Sequence, residues 1–221
     1  MCLSNLRHTF LLFAIIIPIL QACGSSQPNT NKDFPEIDGE RGAFPFSIRE
    51  PKIYSGEIVQ TSGSVTTVYF VARNGDRTRI DFDRGGENQV SMVHSESDLV
   101  VSYKTKSFYE LPSGTGDVGS LNPADQLTRG FLGGAESAKF EKIETVNGQT
   151  KYRVNSVAGG KNETFIYFDE SLAMPVKHEF FAVDGDRRSI MFSVEFKDLK
   201  LEADDSLFAV PEGFKKTDAP K

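Results

Sequence analysis

Residues 174–197, MPVKHEFFAVDGDRRSIMFSVEFK, contain two strand-forming runs around one tight turn. Asp184-Gly185 supplies the backbone conformation that a two-residue hairpin turn requires. In the second run the residues alternate, so that one face of the strand is uniformly apolar. That face carries Ile190, Phe192, Val194 and Phe196, and the other carries Met191, Ser193, Glu195 and Lys197. The stretch therefore predicts an antiparallel hairpin with one apolar face.

The same pattern recurs through most of the chain from residue 47 onward. Short runs of Val, Ile, Thr, Tyr and Phe are separated by turn signals such as Asn74-Gly75 and Asn147-Gly148. We expect a mainly β fold of about eleven antiparallel strands. Strands are predicted near 53–61, 64–73, 77–83, 88–94, 98–104, 107–111, 138–147, 149–157, 163–169, 174–183 and 187–199.

One segment between the strands has the signals of a short helix. Asn122 can cap it, Pro123 suits its first position, and glycines follow it. Leu127 and Phe131 are four residues apart and would share one helix face. Two interpretations remain open, a mobile flap over the sheet or a connecting helix that caps the sheet edge.

The aromatic content favours apolar packing. The chain has 18 Phe, 6 Tyr and no Trp, so most rings have no polar group. This composition suits either a lipid cavity or rings that pack against each other in a closed core. The sequence alone leaves both possibilities open.

Few residues have the pattern of a catalytic or metal site. His178 and Glu179 are adjacent in a predicted strand and should point to opposite faces, and His94 stands near a strand end. Cys2 and Cys23 both lie near the amino terminus. We expect no catalytic residues, no metal and no cofactor, and the net charge of -6 argues against nucleic acid as a partner.

The amino terminus is typical of an exported protein. Residues 1–22 combine Arg7 with an apolar run too short to span a bilayer, which predicts a signal peptide. Leu20-Gln21-Ala22-Cys23-Gly24 resembles the lipobox of bacterial lipoproteins, which implies a diacylglycerol thioether and an N-acyl group on Cys23. The alternative is an ordinary secretory signal cut after Ala22, which would leave Cys23 as a free thiol.

Composition divides the rest of the chain. Residues 23–46 are rich in Gly, Ser, Asn and Pro and predict a lipidated flexible tether. Residues 47–216 form the predicted β domain, and 217–221 a disordered tail.

Two motifs and the order of elements resemble the LolA/LolB-like superfamily of outer-membrane lipoprotein and lipid carriers, in a lipid-anchored and uncharacterised branch. The motifs are Tyr167-Phe168-Asp169-Glu170-Ser171-Leu172-Ala173-Met174-Pro175-Val176-Lys177 and Asp205-Ser206-Leu207-Phe208-Ala209-Val210-Pro211-Glu212-Gly213-Phe214-Lys215-Lys216. The resemblance implies an unclosed, strongly curved sheet, a half-barrel with an apolar face under a short helical lid. With Gly24 after the cysteine, it also implies the inner leaflet of the outer membrane, facing the periplasm, if the host is Gram-negative.

That resemblance implies binding of acyl chains of lipids or lipoproteins, by a carrier or acceptor held to the membrane by its lipid anchor. The expected ligand-binding residues are Phe180, Phe192, Val194, Phe196, Leu127 and Phe131. The loop Arg84-Gly85-Gly86-Glu87-Asn88 departs from lipid-anchored members, because it has no apolar residue to insert into a bilayer. The alternative is an envelope sensor or scaffold that contacts a protein partner through the sheet surface.

Overall fold

The computed structural model describes residues 44–46, 50–112, 118–128, 138–155 and 162–219. All of them belong to one compact unit, residues 31–221. The signal peptide, Cys23 and most of the predicted tether lie outside the described residues.

Twelve strands form a single sheet. They are β1 (Ile53–Ser62), β2 (Val65–Asn74), β3 (Arg77–Phe82), β4 (Val90–His94), β5 (Asp98–Ser102), β6 (Ser107–Glu110), β7 (Lys139–Val146), β8 (Gln149–Asn155), β9 (Asn162–Asp169), β10 (Met174–Asp184), β11 (Arg187–Lys200) and β12 (Lys215–Lys216). Their order is β12-β6-β5-β4-β3-β2-β1-β11-β10-β9-β8-β7, so the sheet is open, with β12 and β7 at its edges. The eleven predicted strands and the unclosed sheet are confirmed.

The short strand β12 was not predicted. It runs parallel to β6, whereas every other neighbouring pair is antiparallel. The amide of Thr217 also donates to the Phe108 carbonyl at 2.8 Å, so the first residue of the predicted tail contacts the sheet.

The two faces of the sheet have different covers. The inner face carries Tyr54, Ile58, Val71, Val194 and Phe196, which pack with Ala124 and Leu127 in one buried cluster. The outer face carries a second cluster that packs against the chain after β11. Its buried members are Phe70, Ala72, Val93, Leu99, Val101 and Phe208.

The segment over the inner face is shorter and tighter than an α-helix. It consists of two single-turn 3-10 helices, Val118–Leu121 and Pro123–Gln126. Asn122 caps the second turn as expected, through a 3.0 Å bond from the Ala124 amide to its side-chain oxygen. The amide of Leu127 then bonds to the Ala124 carbonyl three residues back, which is 3-10 geometry. The predicted helix is therefore present as 3-10 turns, in which Ala124 and Leu127 are buried and Leu121 is exposed.

The end of the predicted tether packs on the sheet. Phe46 stacks on Phe168 with ring centroids 4.5 Å apart and lies 5.2 Å from Tyr152. Phe44 lies 5.4 Å from Phe140. These rings cover the inner face of β7, β8 and β9, so the packed domain includes residues 44–46.

A buried charged pair holds the cover of the outer face. The Arg79 guanidinium donates to Asp81 Oδ1 at 2.6 Å, and both side chains are almost fully buried. The same guanidinium donates to the Leu207 carbonyl at 2.8 Å and to the Tyr103 hydroxyl at 2.7 Å. Arg79 therefore ties the segment after β11 to β3.

Candidate functional site

An apolar cavity lies on the inner face beside the 3-10 turns. Phe180 of β10 and Phe192 of β11 are aligned across the two strands, with ring centroids 5.7 Å apart. With Val194 they form one wall of a cavity of about 390 Å³. This volume lies within the range of small-molecule sites. The other lining residues are Gln126, Asn162 and Met191.

Met191 lines this cavity because the strand pairing is irregular. Simple alternation places Met191 on the face opposite Phe192. In the structure Phe180 is aligned with Phe192 but Phe181 is aligned with Ile190, so β11 has one extra residue at this point. The bulge brings Met191 to the cavity and aligns Ile190 with Phe181, whose ring contacts Phe165 on the outer face. The predicted face assignments of Met191 and Ile190 are therefore wrong.

The polar groups of the cavity are uncharged amides. Gln126 accepts a hydrogen bond from the Gln60 side chain at 2.7 Å, which joins the second 3-10 turn to β1 at the cavity. Asn162 stands at the start of β9 on the other side. No sequence signal distinguished these two residues, because each reaches the cavity only through tertiary packing.

The other predicted ligand-binding residues have different positions. Phe196 is buried, and its ring contacts Tyr54 edge-on with centroids 5.5 Å apart. Leu127 is fully buried in the same cluster. Both therefore belong to the packed core beside the cavity, and Phe131 lies outside the described residues. The structure thus brings together Phe180, Phe192 and Val194 of the predicted set.

His178 and Glu179 do lie on opposite faces. His178 is 1% exposed on the inner face, aligned with Val194 of the cavity wall, and burial lowers its pKa to about 4. Burial opposes the ionisation of Glu179, but hydrogen bonds from Lys177 and from the Tyr167 hydroxyl outweigh it and lower the pKa of that carboxyl. The inner face near the cavity thus holds a neutral imidazole at neutral pH, while the charge is on the outer face.

A second cavity, on the outer face, has a different character. Its volume is about 610 Å³, and charged side chains such as Glu57, Asp198 and Lys200 line it. The Arg84 guanidinium lies over the Phe70 ring, 3.4 Å from its centroid, at the edge of this cavity. This lining suits polar groups of a partner and does not suit an acyl chain.

The described residues contain neither a group of metal-ligating side chains nor a helix suited to span a membrane. In the ranges given above, no group of three or more His, Cys, Asp or Glu side chains is placed to hold a metal ion. Within the same ranges, no helix has the length and apolarity that crossing a bilayer requires.

Fold and cavity together define an open, mainly antiparallel β-sheet protein with a small apolar cavity on its inner face. No protein-family model matches the chain, and no curated protein matches its sequence. Among solved structures, it is similar to an uncharacterised conserved protein from Thermus thermophilus, with 10% identity, a TM-score of 0.45, and coverage of 76% of this chain and 91% of that one.

Two other solved structures are also similar, with TM-scores below that of the first. MucB in its complex with MucA from Pseudomonas aeruginosa is 16% identical, with a TM-score of 0.44, over 71% of this chain and 55% of that one. LprF from Mycobacterium bovis is 12% identical, with a TM-score of 0.34, over 73% and 90%. At such low identities and TM-scores these likenesses carry no conclusion about the function of this chain.

Proposed function

We propose that this protein is a lipid-anchored protein of the bacterial envelope that binds an acyl chain of a lipid or lipoprotein in its inner-face cavity, without catalysis. The observation that carries the proposal is the cavity itself, whose wall is made of Phe180, Met191, Phe192 and Val194. Each methylene buried there contributes about 0.8 kcal/mol, so a long chain contributes on the order of 10 kcal/mol of gross transfer energy. An acyl chain therefore needs no charged group for recognition.

The size of the cavity limits what it holds. About 390 Å³ is near the lower end of the volumes of small-molecule sites, which favours one chain over a complete two-chain lipid. The amides of Gln126 and Asn162 offer hydrogen bonds to an ester or amide of the ligand. A carrier or acceptor of single acyl chains fits both features.

Native mass spectrometry of the full chain extracted from the envelope tests this proposal. We expect a lipid that is bound without a covalent bond and lost on denaturation, whereas acyl groups on Cys23 would survive denaturation. Phe192→Asp places a charge in the cavity wall and should abolish the bound lipid. Phe181→Asp is the matched control, since Phe181 is also half-buried but faces outward from the adjacent strand.

Two results would contradict acyl-chain binding. One is a mass without bound lipid that stays unchanged after incubation with phospholipid vesicles. The other is equal loss of lipid in the Phe192 and Phe181 variants, which would indicate damage to the fold and not to the cavity.

The outer-face cavity favours a second candidate function, a sensor or scaffold that contacts a protein partner. Arg84 is 47% exposed, and its planar guanidinium is held over Phe70 beside a large polar cavity. Its Nε already lies 3.6 Å from Asp81 Oδ2, and the exposed side of the guanidinium can pair with a carboxylate of a partner. In crosslinking in cells, Arg84→Ala should remove a specific partner while Phe192→Asp leaves it, and the reverse pattern would favour the inner face.

A further inference from the structure

Three exposed apolar side chains lie at the end of the sheet that holds the cavity, which we call the cavity end; Ile53, Val146 and Leu201 are exposed at the opposite end, away from the cavity. The cavity end contains the β1–β2 turn and the first residues of β11. Val65 is 64% exposed, Met191 49% and Ile190 41%. We call these three residues the rim.

Met191 joins the rim to the cavity, whereas Ile190 lies on the outer face of the same strand. Met191 both lines the cavity and is exposed. The amide of Gly63 in the β1–β2 turn donates to the Met191 carbonyl at 3.1 Å, which fixes the turn against β11. Val65 is aligned with Ser62, and Ser62 with Phe192, so Val65 is about 10 Å from the cavity wall at the usual strand spacing.

The amino-terminal chain joins the domain at the same end. Phe44 contacts Phe140 of β7, and Phe140 is aligned with Val154 of β8. The alignment continues across β9 to Phe180 of the cavity wall, so Phe140 lies at the level of the cavity. Phe46 contacts Phe168, which is nearer the opposite end. Phe44, the first described residue, therefore lies nearer the cavity end than Phe46 does.

The position of Phe44 determines which end of the sheet a lipid on Cys23 would hold near a membrane. Only 20 residues separate Cys23 from Phe44, and a random-coil chain of that length has an end-to-end distance of about 25 Å. The cavity end is thus the end that such an anchor keeps near the bilayer surface.

The distribution of charge also favours the cavity end as the end that faces an anionic bilayer. At the cavity end, cations such as Arg84, Lys104, Lys106, Arg187, Arg188 and Lys215 accompany the carboxylates of Asp83, Glu87, Asp184, Asp186 and Glu212. At the opposite end carboxylates outnumber the cations, which include Lys52, Arg77 and Lys200, and an anionic bilayer repels that excess of negative charge. The carboxylates include Asp76, Glu96, Asp98, Glu110, Asp169, Glu170, Glu202, Asp204 and Asp205.

From these observations we propose that the rim of Val65, Ile190 and Met191 docks on the surface of a lipid bilayer, so that the cavity opens toward the acyl chains. This inference rests on the proposed function, because docking serves a cavity that receives or delivers a chain. It also gives the source of the ligand, a lipid or lipoprotein that is still in the membrane.

Fluorescence quenching by lipids tests the docking directly. The full chain, purified from the envelope, is reconstituted in vesicles of phosphatidylethanolamine and phosphatidylglycerol. A nitrobenzoxadiazole probe is attached at Val65→Cys or, as the matched control, at Val146→Cys. Val146 is also an exposed valine beside a hairpin turn, but at the opposite end of the sheet. The parent chain, labelled in parallel, measures the contribution of Cys2 and Cys23.

We expect acyl chains that carry a quencher to quench the Val65 probe several-fold more than the Val146 probe. A second pair, Met191→Cys and Leu201→Cys, should behave in the same way, since Met191 is exposed in the first half of β11 and Leu201 is exposed directly after its last residue, at the opposite end. Equal quenching at the two ends would overturn the docking. A second result would also overturn the docking. If the Val65 probe becomes shielded from water without vesicles, and more so at higher protein concentration, the rim binds a second copy of the chain and not a bilayer.

The two proposals fail in different ways. If the rim probes are not quenched but native mass spectrometry still finds bound lipid, docking is wrong and the cavity function stands. If the rim probes are quenched but the cavity holds no lipid, the membrane contact stands and the cavity function is wrong.

Discussion

The side-chain amide of Asn122 donates a 2.9 Å hydrogen bond to the hydroxyl of Tyr54. Both residues are buried, and the bond joins the two 3-10 turns to β1. Burial, together with the Glu50 carboxylate, raises the pKa of Tyr54 well above its ordinary value, so the hydroxyl keeps its proton. This pair holds the cover of the inner face in position beside the cavity.

Replacing Asn122 should loosen that cover. Asn122→Ala removes both the bond to Tyr54 and the cap on the Ala124 amide, and should lower the free energy of unfolding by about 1–3 kcal/mol. Tyr54→Phe removes only the hydroxyl and should cost less. Urea denaturation measures both values, and a larger loss for Tyr54→Phe would contradict the role given to the cap.

The buried His178 should make stability depend on pH. Its pKa is lowered to about 4 in the folded chain and is near 6.5 in the unfolded one. Between these values the unfolded chain binds a proton that the folded chain does not. The free energy of unfolding should therefore be highest above pH 6.5 and fall by up to about 3 kcal/mol as the pH drops to 4.

Denaturation at a series of pH values checks this contribution. His178→Leu should lack this part of the pH dependence. His94→Leu should retain it, since His94 is partly exposed and pairs with Asp98 at 2.8 Å. The same pH profile in His178→Leu and in the parent chain would show that other groups cause the acid instability.

The Arg79–Asp81 pair should be sensitive to the loss of one partner. Asp81→Asn leaves a buried guanidinium without its counter-ion and should cost about 3–5 kcal/mol. Arg77→Met breaks an exposed pair with Asp205 and should cost less than about 1 kcal/mol. Chemical denaturation measures the difference, and similar losses in the two variants would contradict the importance of burial.

The contact of Phe46 with the sheet predicts that the domain begins before residue 47. Phe46→Ala removes a ring that packs against Phe140, Tyr152 and Phe168, and should cost about 2–3 kcal/mol because the ring is only partly buried. Pro45→Ala, an exposed neighbour, should have little effect. If Phe46→Ala leaves the thermal midpoint unchanged, residues 44–46 belong to the tether and not to the domain.

Much of the fold could be predicted because strands produce a local signal. Residues 192–196 show the alternation that one apolar face imposes, and Asn147-Gly148 adopts the positive φ angles that its residue types favour. Part of the candidate site followed from the same signal, since Phe180, Phe192 and Val194 share the inner face. Phe196 and Leu127 carry the same apolar signal but are buried in the core, because composition does not distinguish a cavity wall from packing.

The remainder depends on contacts between residues far apart in the chain. Phe46 contacts Phe168, and Lys215 pairs with Ser107. The two residues of each pair are far apart in the sequence, so no local sequence pattern predicts that they meet. The bulge that brings Met191 to the cavity arises where two long strands are held in register by other strands on both sides.

The sequence by itself determined the eleven main strands, their turns and the apolar face, because each depends on the conformational preferences of neighbouring residues. Only the tertiary structure decided which apolar side chains surround an open space. That choice depends on what packs over the sheet, and here the 3-10 turns cover Phe196 but leave Phe192 at a cavity.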